Sequence, residues 1–179
     1  AKPIMGDVSL NGEVMPYDAS LVLQHSVANI TLDDKQLAVA DVSGNSTVSG
    51  YDASLILQFS IGLITNFGDT AKKSLGRAGT AASPVTVTAP ETMDLSGSSD
   101  FDLPLSLTTS PGVTSLEMTL QSVPGHLTFQ GLDASQLPPD VMVASGYAEE
   151  TGTLHLSLAS AHDLDLNMAS LKLSFTLSP

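Results

Sequence analysis

Two twelve-residue stretches carry oxygen-bearing side chains at the spacing that a hard cation requires. These side chains stand at the first, third, fifth and twelfth places, namely Asp7, Ser9, Asn11 and Asp18 in one stretch and Asp41, Ser43, Asn45 and Asp52 in the other. A loop of this length wraps around Ca²⁺, and its seventh residue contributes a backbone carbonyl oxygen. The remaining candidate ligands are Glu13 and Thr47 at the seventh places and Ser49 at the ninth place of the second stretch. The pattern predicts two calcium sites.

Both loops depart from the strongest calcium-binding pattern. Each supplies two carboxylates, the twelfth residue is Asp where Glu is usual, and Ser46 occupies the sixth place, which favours glycine. Such loops bind Ca²⁺ with dissociation constants of about 10⁻⁴ to 10⁻³ M, as in extracellular modules. The alternative is a pair of polar turns without metal, which the same residue types also form. Two copies with the same spacing favour the metal.

The loops belong to a duplicated unit that also includes a helix. Residues 6–32 (the first repeat) and 40–66 (the second repeat) align at an offset of 34 residues with 15 identities in 27 positions. Apolar residues at helical spacing predict helices over 17–28 and 51–63. The twelfth-place aspartate of each loop then falls in the first helical turn, so loop and helix form one structural unit.

Composition bounds the class of protein. The chain has 179 residues, 42% hydrophobic and 14% charged, which is enough apolar material for packed cores. Its net charge of −13 argues against nucleic acid as a partner, and no apolar run is long enough to span a membrane. It contains no cysteine, and its opening at Ala1 without a signal segment suggests a piece of a longer protein.

The periodicity changes after residue 67. Residues 68–84 are rich in Gly, Ala, Ser and Thr and carry a net charge of +2, which predicts a flexible linker. Over 85–179 apolar residues alternate with polar ones in about seven or eight short segments separated by turn residues. We therefore expect a multi-domain chain: an all-α duplicated calcium loop-helix module (1–67, EF-hand-like), the linker, and an all-β antiparallel sandwich of jelly-roll type (85–179).

Residues 4–67 resemble a type I-like dockerin, the calcium-binding module that docks into cohesin domains. The resemblance rests on the tandem Asp-Val-Ser-x-Asn-x-x-Val-x-x-Tyr-Asp loops, each followed by one amphipathic helix. It implies two bound Ca²⁺ ions and a cohesin partner. It also implies a contact face on the two helices that contains Tyr17, Leu23, Gln24, Tyr51, Leu57 and Gln58. Pro16-Tyr17 and Gly50-Tyr51 replace the hydroxyl pair common in that family, so partner specificity does not carry over.

Residues 85–179 resemble, in strand order, a cohesin-type jelly roll. A fibronectin-like or carbohydrate-binding sandwich is the alternative, since strand patterns recur among unrelated sandwiches. Sugar-binding platforms need exposed aromatic rings, and this segment has no Trp and few other aromatic residues, which argues against carbohydrate as a ligand.

The sequence therefore predicts a non-enzymatic assembly protein of a secreted or cell-surface, cellulosome-type complex. Its dockerin would bind a cohesin module of another protein or the adjacent sandwich in cis. The competing interpretation is an ancillary region of a secreted glycoside hydrolase or surface protein, in which the sandwich has a structural or sugar-binding role. Because the repeats are so alike, we also expect two similar docking faces, either of which could engage one partner site.

Overall fold

The computed structural model describes residues 3–68, 85–95, 97–167 and 169–178. Residues 3–68, the helical region, contain helices α1 (Pro16–Ser26), α2 (Asp34–Ala40) and α3 (Gly50–Ser60). The helix predicted in each repeat is confirmed, and both end earlier than expected. Ala28 and Gly62 adopt positive φ values of 61° and 77°, a backbone conformation that terminates an α-helix. The predicted linker lies, apart from its first residue, outside the described residues.

Helix α2 was not predicted. Asp33 caps its N-terminus by accepting hydrogen bonds from the N–H groups of Lys35 and Gln36, and the Gln36 side chain accepts one from the Asp33 N–H in return. Gln36 also donates to the Val8 carbonyl oxygen at 3.0 Å. Helix α2, which lies almost entirely between the two repeats, thereby holds the first loop through a side-chain hydrogen bond.

Residues 85–178, the two-sheet region, contain seven strands within the described residues. They are β1 (Val85–Thr88), β2 (Asp100–Thr109), β3 (Ser115–Gln121), β4 (Leu127–Asp133), β5 (Met142–Ala148), β6 (Thr153–Ala159) and β7 (Ala169–Leu177). Sheet A has the order β1-β2-β7-β4 and sheet B the order β3-β6-β5, with every pairing antiparallel. The predicted all-β character and antiparallel pairing are confirmed.

Leucines from both sheets form one hydrophobic cluster. Leu107 of β2, Leu158 of β6 and Leu171 of β7 are fully buried in it. Alternate residues of a strand point to opposite faces, so the period-two leucine pattern supplies one apolar face per sheet. The two sheets are held together by these faces.

The helical region packs against the outer face of sheet B. Helices α1 and α3 contact each other and strands β3, β5 and β6. Their hydrophobic cluster includes Ala144 and Ala159 from the two-sheet region, with Met142 and Ala161 packed at its edge. Small alanine side chains on the sheet allow helices to approach closely. Among the described helices, none is long and apolar enough to cross a membrane.

Candidate calcium loops and docking face

The first loop is closed by its two aspartates. Asp7 Oδ1 accepts from the Asn11 N–H at 3.0 Å, and Asp7 Oδ2 accepts from the Gly12 N–H at 2.8 Å. Asp18 reaches back from the first turn of α1 to accept from the N–H groups of Ser9 at 2.7 Å and Met15 at 2.8 Å. The first and twelfth residues thus converge on the interior of the loop.

The second loop repeats this arrangement. Asp41 accepts from the N–H groups of Gly44 and Ser46, each at 2.8 Å. Asp52 accepts from the Ser43 N–H at 2.9 Å and from the Ser49 N–H at 3.0 Å and hydroxyl at 3.2 Å. The same pattern of hydrogen bonds therefore forms from two sequences that differ at five of the eight places other than the first, third, fifth and twelfth.

The fifth-place asparagines adopt the same local role in both loops. Asn11 Oδ1 accepts from the Glu13 N–H at 2.9 Å, and Asn45 Oδ1 accepts from the Thr47 N–H at 2.8 Å. The third-place serine hydroxyls donate to the first-place aspartates, Ser9 to Asp7 and Ser43 to Asp41. All four side chains that the spacing selects are brought to one locality in each loop.

The twelfth-place carboxylates are fully buried. Asp18 and Asp52 each have 0% exposure, and Asp7 has 4%. Burial raises the pKa of the Asp52 carboxyl, and the nearby Asp41 charge adds to the rise, against hydrogen bonds from Ser43 and the Ser49 N–H that lower it. A buried carboxylate is costly unless a positive charge compensates it.

The donor set fits a hard cation. Neither loop contains Lys, Arg or His, so no side-chain cation from the loops themselves neutralises Asp18 or Asp52. Carboxylate, amide, hydroxyl and carbonyl oxygens are the ligands that Ca²⁺ takes. Among the described residues, no three or more His, Cys, Asp or Glu side chains are grouped so that they could hold a metal ion by themselves. Any bound ion would rely on neutral oxygens for the rest of its shell.

The contact between α3 and sheet B centres on the first residue of that helix. The Gly50 N–H donates to Glu117 Oε1 of β3 at 2.7 Å. A first-turn N–H has no partner within its own helix, and a carboxylate is favoured beside the positive end of the helix dipole. A Cβ atom on Gly50 would lie 2.9 Å from Ser157 Oγ and 3.3 Å from the Leu158 carbonyl oxygen. Glycine is therefore required for this close approach.

Two further hydrogen bonds join the regions. The Ser54 hydroxyl of α3 donates to the Ser160 carbonyl oxygen at 2.8 Å, with both residues fully buried. The Asn29 side-chain amide, just after α1, donates to the Ser145 carbonyl oxygen at 2.8 Å. The contact thus uses the N-terminal half of α3 and the C-terminal end of α1.

Gly146 of β5 permits the approach of α1. A Cβ atom at this position would lie 1.9 Å from the Val27 carbonyl oxygen. No side chain fits into that space without moving the helix end. Gly50 and Gly146 lie on opposite sides of the contact, and at both positions the absence of a side chain lets helix and strand backbones approach closely.

The partner-contact residues expected from the sequence are only partly exposed. Tyr17 has 61% exposure, whereas Leu23 and Leu57 have 2% and 7% and lie in the cluster shared with sheet B. Tyr51 packs against that cluster and is partly buried. The polar pair is also engaged, since Gln24 accepts from Asn29 and Gln58 donates to Ser54.

The family resemblance placed Gly50 on the contact face, whereas Ser54, Asn29, Glu117 and Gly146 were missed as contact residues. Ser54 lies one helical turn after Gly50 on α3, and this spacing is the signal that could have marked it. Nothing in the neighbouring sequence marks the contact residues on sheet B, because strand alternation shows which side chains share a face and does not show what packs against that face.

Comparison with known proteins identifies the helical region. A model of the dockerin type I domain matches residues 5–59, which covers both loops and α1 to α3 almost to its end. No curated protein matches the chain. Dockerins are non-catalytic modules that bind Ca²⁺ and dock to cohesins. With the duplicated loop geometry described above, residues 5–59 are a dockerin type I domain.

Proposed function

We propose that this chain is a calcium-dependent docking protein in which the helical region binds two Ca²⁺ ions and docks onto a cohesin-like receptor. The observation that carries the proposal is the pair of fully buried carboxylates, Asp18 and Asp52, held by backbone N–H donors in loops without basic side chains. Calcium supplies the positive charge that these loops lack.

Each loop would hold one ion. The proposed ligands are Asp7, Ser9, Asn11, Glu13 (backbone carbonyl) and Asp18 in the first loop and Asp41, Ser43, Asn45, Thr47 (backbone carbonyl), Ser49 and Asp52 in the second. At about 10 mM Ca²⁺, dissociation constants of roughly 10⁻⁴ to 10⁻³ M would stabilise the fold by about 1.4–2.7 kcal/mol per site. These sites would therefore contribute a large part of the stability of a module this small.

Charge gives a reason for calcium to control docking. Residues 1–67 carry a net charge of −5 and residues 85–179 carry −10, so the two regions repel each other before metal binds. Two Ca²⁺ ions would bring the helical region to about −1. Calcium would then both order the loops that precede α1 and α3 and reduce the repulsion across the docking contact.

We propose that the two-sheet region is the cohesin-like receptor and that sheet B receives the dockerin in cis. Three hydrogen bonds and two glycine approaches between the regions support this assignment. A cohesin module of another protein would compete for the same helix face. The domain division is then 1–67 dockerin, 68–84 linker and 85–179 receptor, in a secreted or cell-surface assembly without enzymatic activity of its own.

Amide hydrogen exchange of the full chain in Ca²⁺ and in EDTA tests the calcium part. We expect chelation to accelerate exchange in both loops and in α1 and α3, with the leucine core of the two-sheet region unchanged. Mg²⁺ in place of Ca²⁺ is the matched ion control. Identical exchange in Ca²⁺ and EDTA would exclude calcium-dependent folding.

The receptor part has a separate test. A protease site inserted within residues 69–84 allows the folded chain to be cut between its regions. If sheet B is the receptor, the two fragments will co-elute in Ca²⁺ and separate in EDTA. Separation in Ca²⁺, with normal calcium binding, would refute docking in cis and leave the calcium sites intact.

A further inference from the structure

The repeat offset of 34 residues defines an alternative docking pose. Turning the helical region so that α1 takes the place of α3 would present to sheet B the repeat-equivalent residues. These are Pro16 for Gly50, Ser20 for Ser54 and Leu63 for Asn29. Both helices begin at equivalent residues and both end with equivalent hydrogen bonds, Asn29 N–H to Gln24 and Leu63 N–H to Gln58, each at 2.9 Å. The turned pose is therefore the alternative that the duplication offers.

We propose that sheet B accepts only one of these poses and that Gly50 and Asn29 determine the choice. This inference rests on the proposed docking in cis. Pro16 has no N–H to donate to Glu117, so the turned pose would leave that carboxylate without its helix partner. The proline ring would also occupy the space beside Ser157 in which a single Cβ atom already comes within 2.9 Å.

The second determinant lies at the other end of the contact. Leu63 cannot donate a hydrogen bond to the Ser145 carbonyl oxygen, whereas Asn29 does so at 2.8 Å. This bond is exposed, and losing it lowers the population of a pose about two- to tenfold. Together with the lost bond to the charged acceptor Glu117, it separates the poses by about thirtyfold or more.

The serine in the middle of each helix does not discriminate between the poses. Ser20 has the same side chain as Ser54, and its hydroxyl donates to the Tyr17 carbonyl oxygen. The face that the turned pose would use is left exposed and apolar, with exposures of 43% for Met15, 61% for Tyr17, 53% for Ile61 and 54% for Leu63. These residues do not match the hydrogen-bonding groups of sheet B.

Disulfide trapping in the full chain reports the pose directly. The chain has no cysteine, so two introduced residues are its only thiols. Ser26→Cys with Thr119→Cys reports the observed pose, since these two residues line one pocket between the end of α1 and sheet B. Ser60→Cys with Thr119→Cys reports the turned pose, because Ser60 is the repeat equivalent of Ser26, and exposed Lys35→Cys with Thr119→Cys gives the background rate.

In Ca²⁺ we expect the Ser26/Thr119 pair to form an intramolecular disulfide at least about tenfold faster than the other two pairs, which should behave alike. Equal rates for the Ser26 and Ser60 pairs, both above background, would overturn the single pose while leaving docking in cis intact. Background rates for all three pairs would overturn docking in cis and the single pose together.

A second measurement avoids any change in the helical region. The Gly50 amide is the first N–H of α3 and has no partner inside the helix, so its slow exchange reports the bond to Glu117. We expect Glu117→Ala to accelerate exchange of this amide at least about tenfold, with Glu117→Gln, which retains an acceptor oxygen, intermediate. A Gly50 amide that exchanges freely in the unsubstituted chain would overturn the proposal.

Discussion

The two repeats share the side chains that we propose as calcium ligands and differ in what surrounds them. In both loops the first-place and twelfth-place aspartates close the backbone with the same hydrogen bonds. Outside the loops, α3 begins at Gly50 against sheet B, whereas α1 begins at Pro16 in solvent. The two loops keep the same oxygen-bearing side chains, whereas the first residue of the following helix differs with the surface that it faces.

The backbone of the two loops is strained at different places. The fourth place has positive φ in both, 59° at Leu10 and 70° at Gly44, and the sixth has 97° at Gly12 and 69° at Ser46. Each loop therefore has glycine at one of these places and a side chain at the other. A non-glycine residue there costs about 1–2 kcal/mol, so the loops carry similar strain at exchanged positions.

The largest effect should come from removing the charge of a twelfth-place ligand. We expect Asp18→Asn and Asp52→Asn each to weaken calcium binding at their own loop about a hundredfold, or about 2.7 kcal/mol, because a chelating carboxylate is lost. Ser9→Ala and Ser43→Ala, which remove neutral hydroxyls, should lose at most about tenfold. Titration calorimetry measures both.

The same substitutions in EDTA provide the control. Burial raises the pKa of Asp52, so the metal-free loop gains little from its negative charge, and Asp52→Asn should cost much less stability than it does in Ca²⁺. Equal calcium losses for the serine and aspartate variants would contradict the ligand assignment in both repeats.

The next largest effect should come from changing the first residue of α3, which differs between the repeats and contacts sheet B. Gly50→Pro gives α3 the first residue that α1 has naturally, and proline is tolerated at this helical position. We expect it to weaken docking of the cut chain by about 2 kcal/mol, because the bond to Glu117 is lost and the space beside Ser157 is filled. Calcium affinity should remain unchanged.

Pro16→Gly is the matched control and should leave docking unchanged, since Pro16 is exposed. Ser157→Ala gives a second comparison. Its hydroxyl oxygen is the one buried side-chain polar atom without a partner among the described residues, so this change should be neutral or stabilising by up to about 1 kcal/mol. Equal losses of docking affinity from Gly50→Pro and Pro16→Gly would show that the first residue of α3 is no more important for docking than that of α1.

A smaller effect should come from relieving the backbone strain at Leu10 in the first loop and at Ser46 in the second. We expect Leu10→Gly and Ser46→Gly each to stabilise the calcium-bound protein by about 1 kcal/mol, measured by urea unfolding. Gly12→Ala and Gly44→Ala should destabilise it by a similar amount, and a Cβ atom at either glycine meets nothing within 4 Å, so backbone strain is the cause. Stabilisation by one glycine substitution and not the other would show that the loops are not equivalent.

The smallest expected effect concerns the stability of the two-sheet region at low pH, which depends on Asp102 and Asp133. The Ser174 hydroxyl and then the Lys172 ammonium lower the pKa of Asp102, and the Ser135 N–H lowers that of Asp133, with Lys172 adding to it. A lowered carboxyl pKa contributes stability above the unfolded value of 3.8, and this contribution is lost as pH falls through the lower, folded value.

We therefore expect Lys172→Met to reduce slightly the loss of stability of the two-sheet region below about pH 4. Both carboxyl groups are solvent-exposed, and the ion pair to Asp102, at 3.3 Å, is itself screened by water. Urea unfolding at pH 3 and pH 7 measures the difference. An unchanged pH profile would show that Lys172 contributes nothing measurable to acid stability.

The helices and strands that sequence reasoning found are those with a long periodic pattern. Leucine alternation over 169–177 and helical spacing over 50–60 each repeat often enough to exclude the other period. Helix α2 has only seven residues and two turns of pattern, so its capping residue Asp33 was the available signal. The first helix was predicted to end too late because an alanine gives no sign in the sequence that its φ is positive, as it is at Ala28.

The sequence by itself determined the two duplicated loops, because a set of oxygen-bearing side chains within twelve residues is local and its duplication is visible without any tertiary contact. It also determined which strand faces are apolar. Only the tertiary structure decided that sheet B lies against α3, that Leu23 and Leu57 are buried, and that Gly50 faces Glu117 across 67 residues of chain. Such contacts depend on which surfaces meet, and a periodic pattern specifies a surface without specifying its partner.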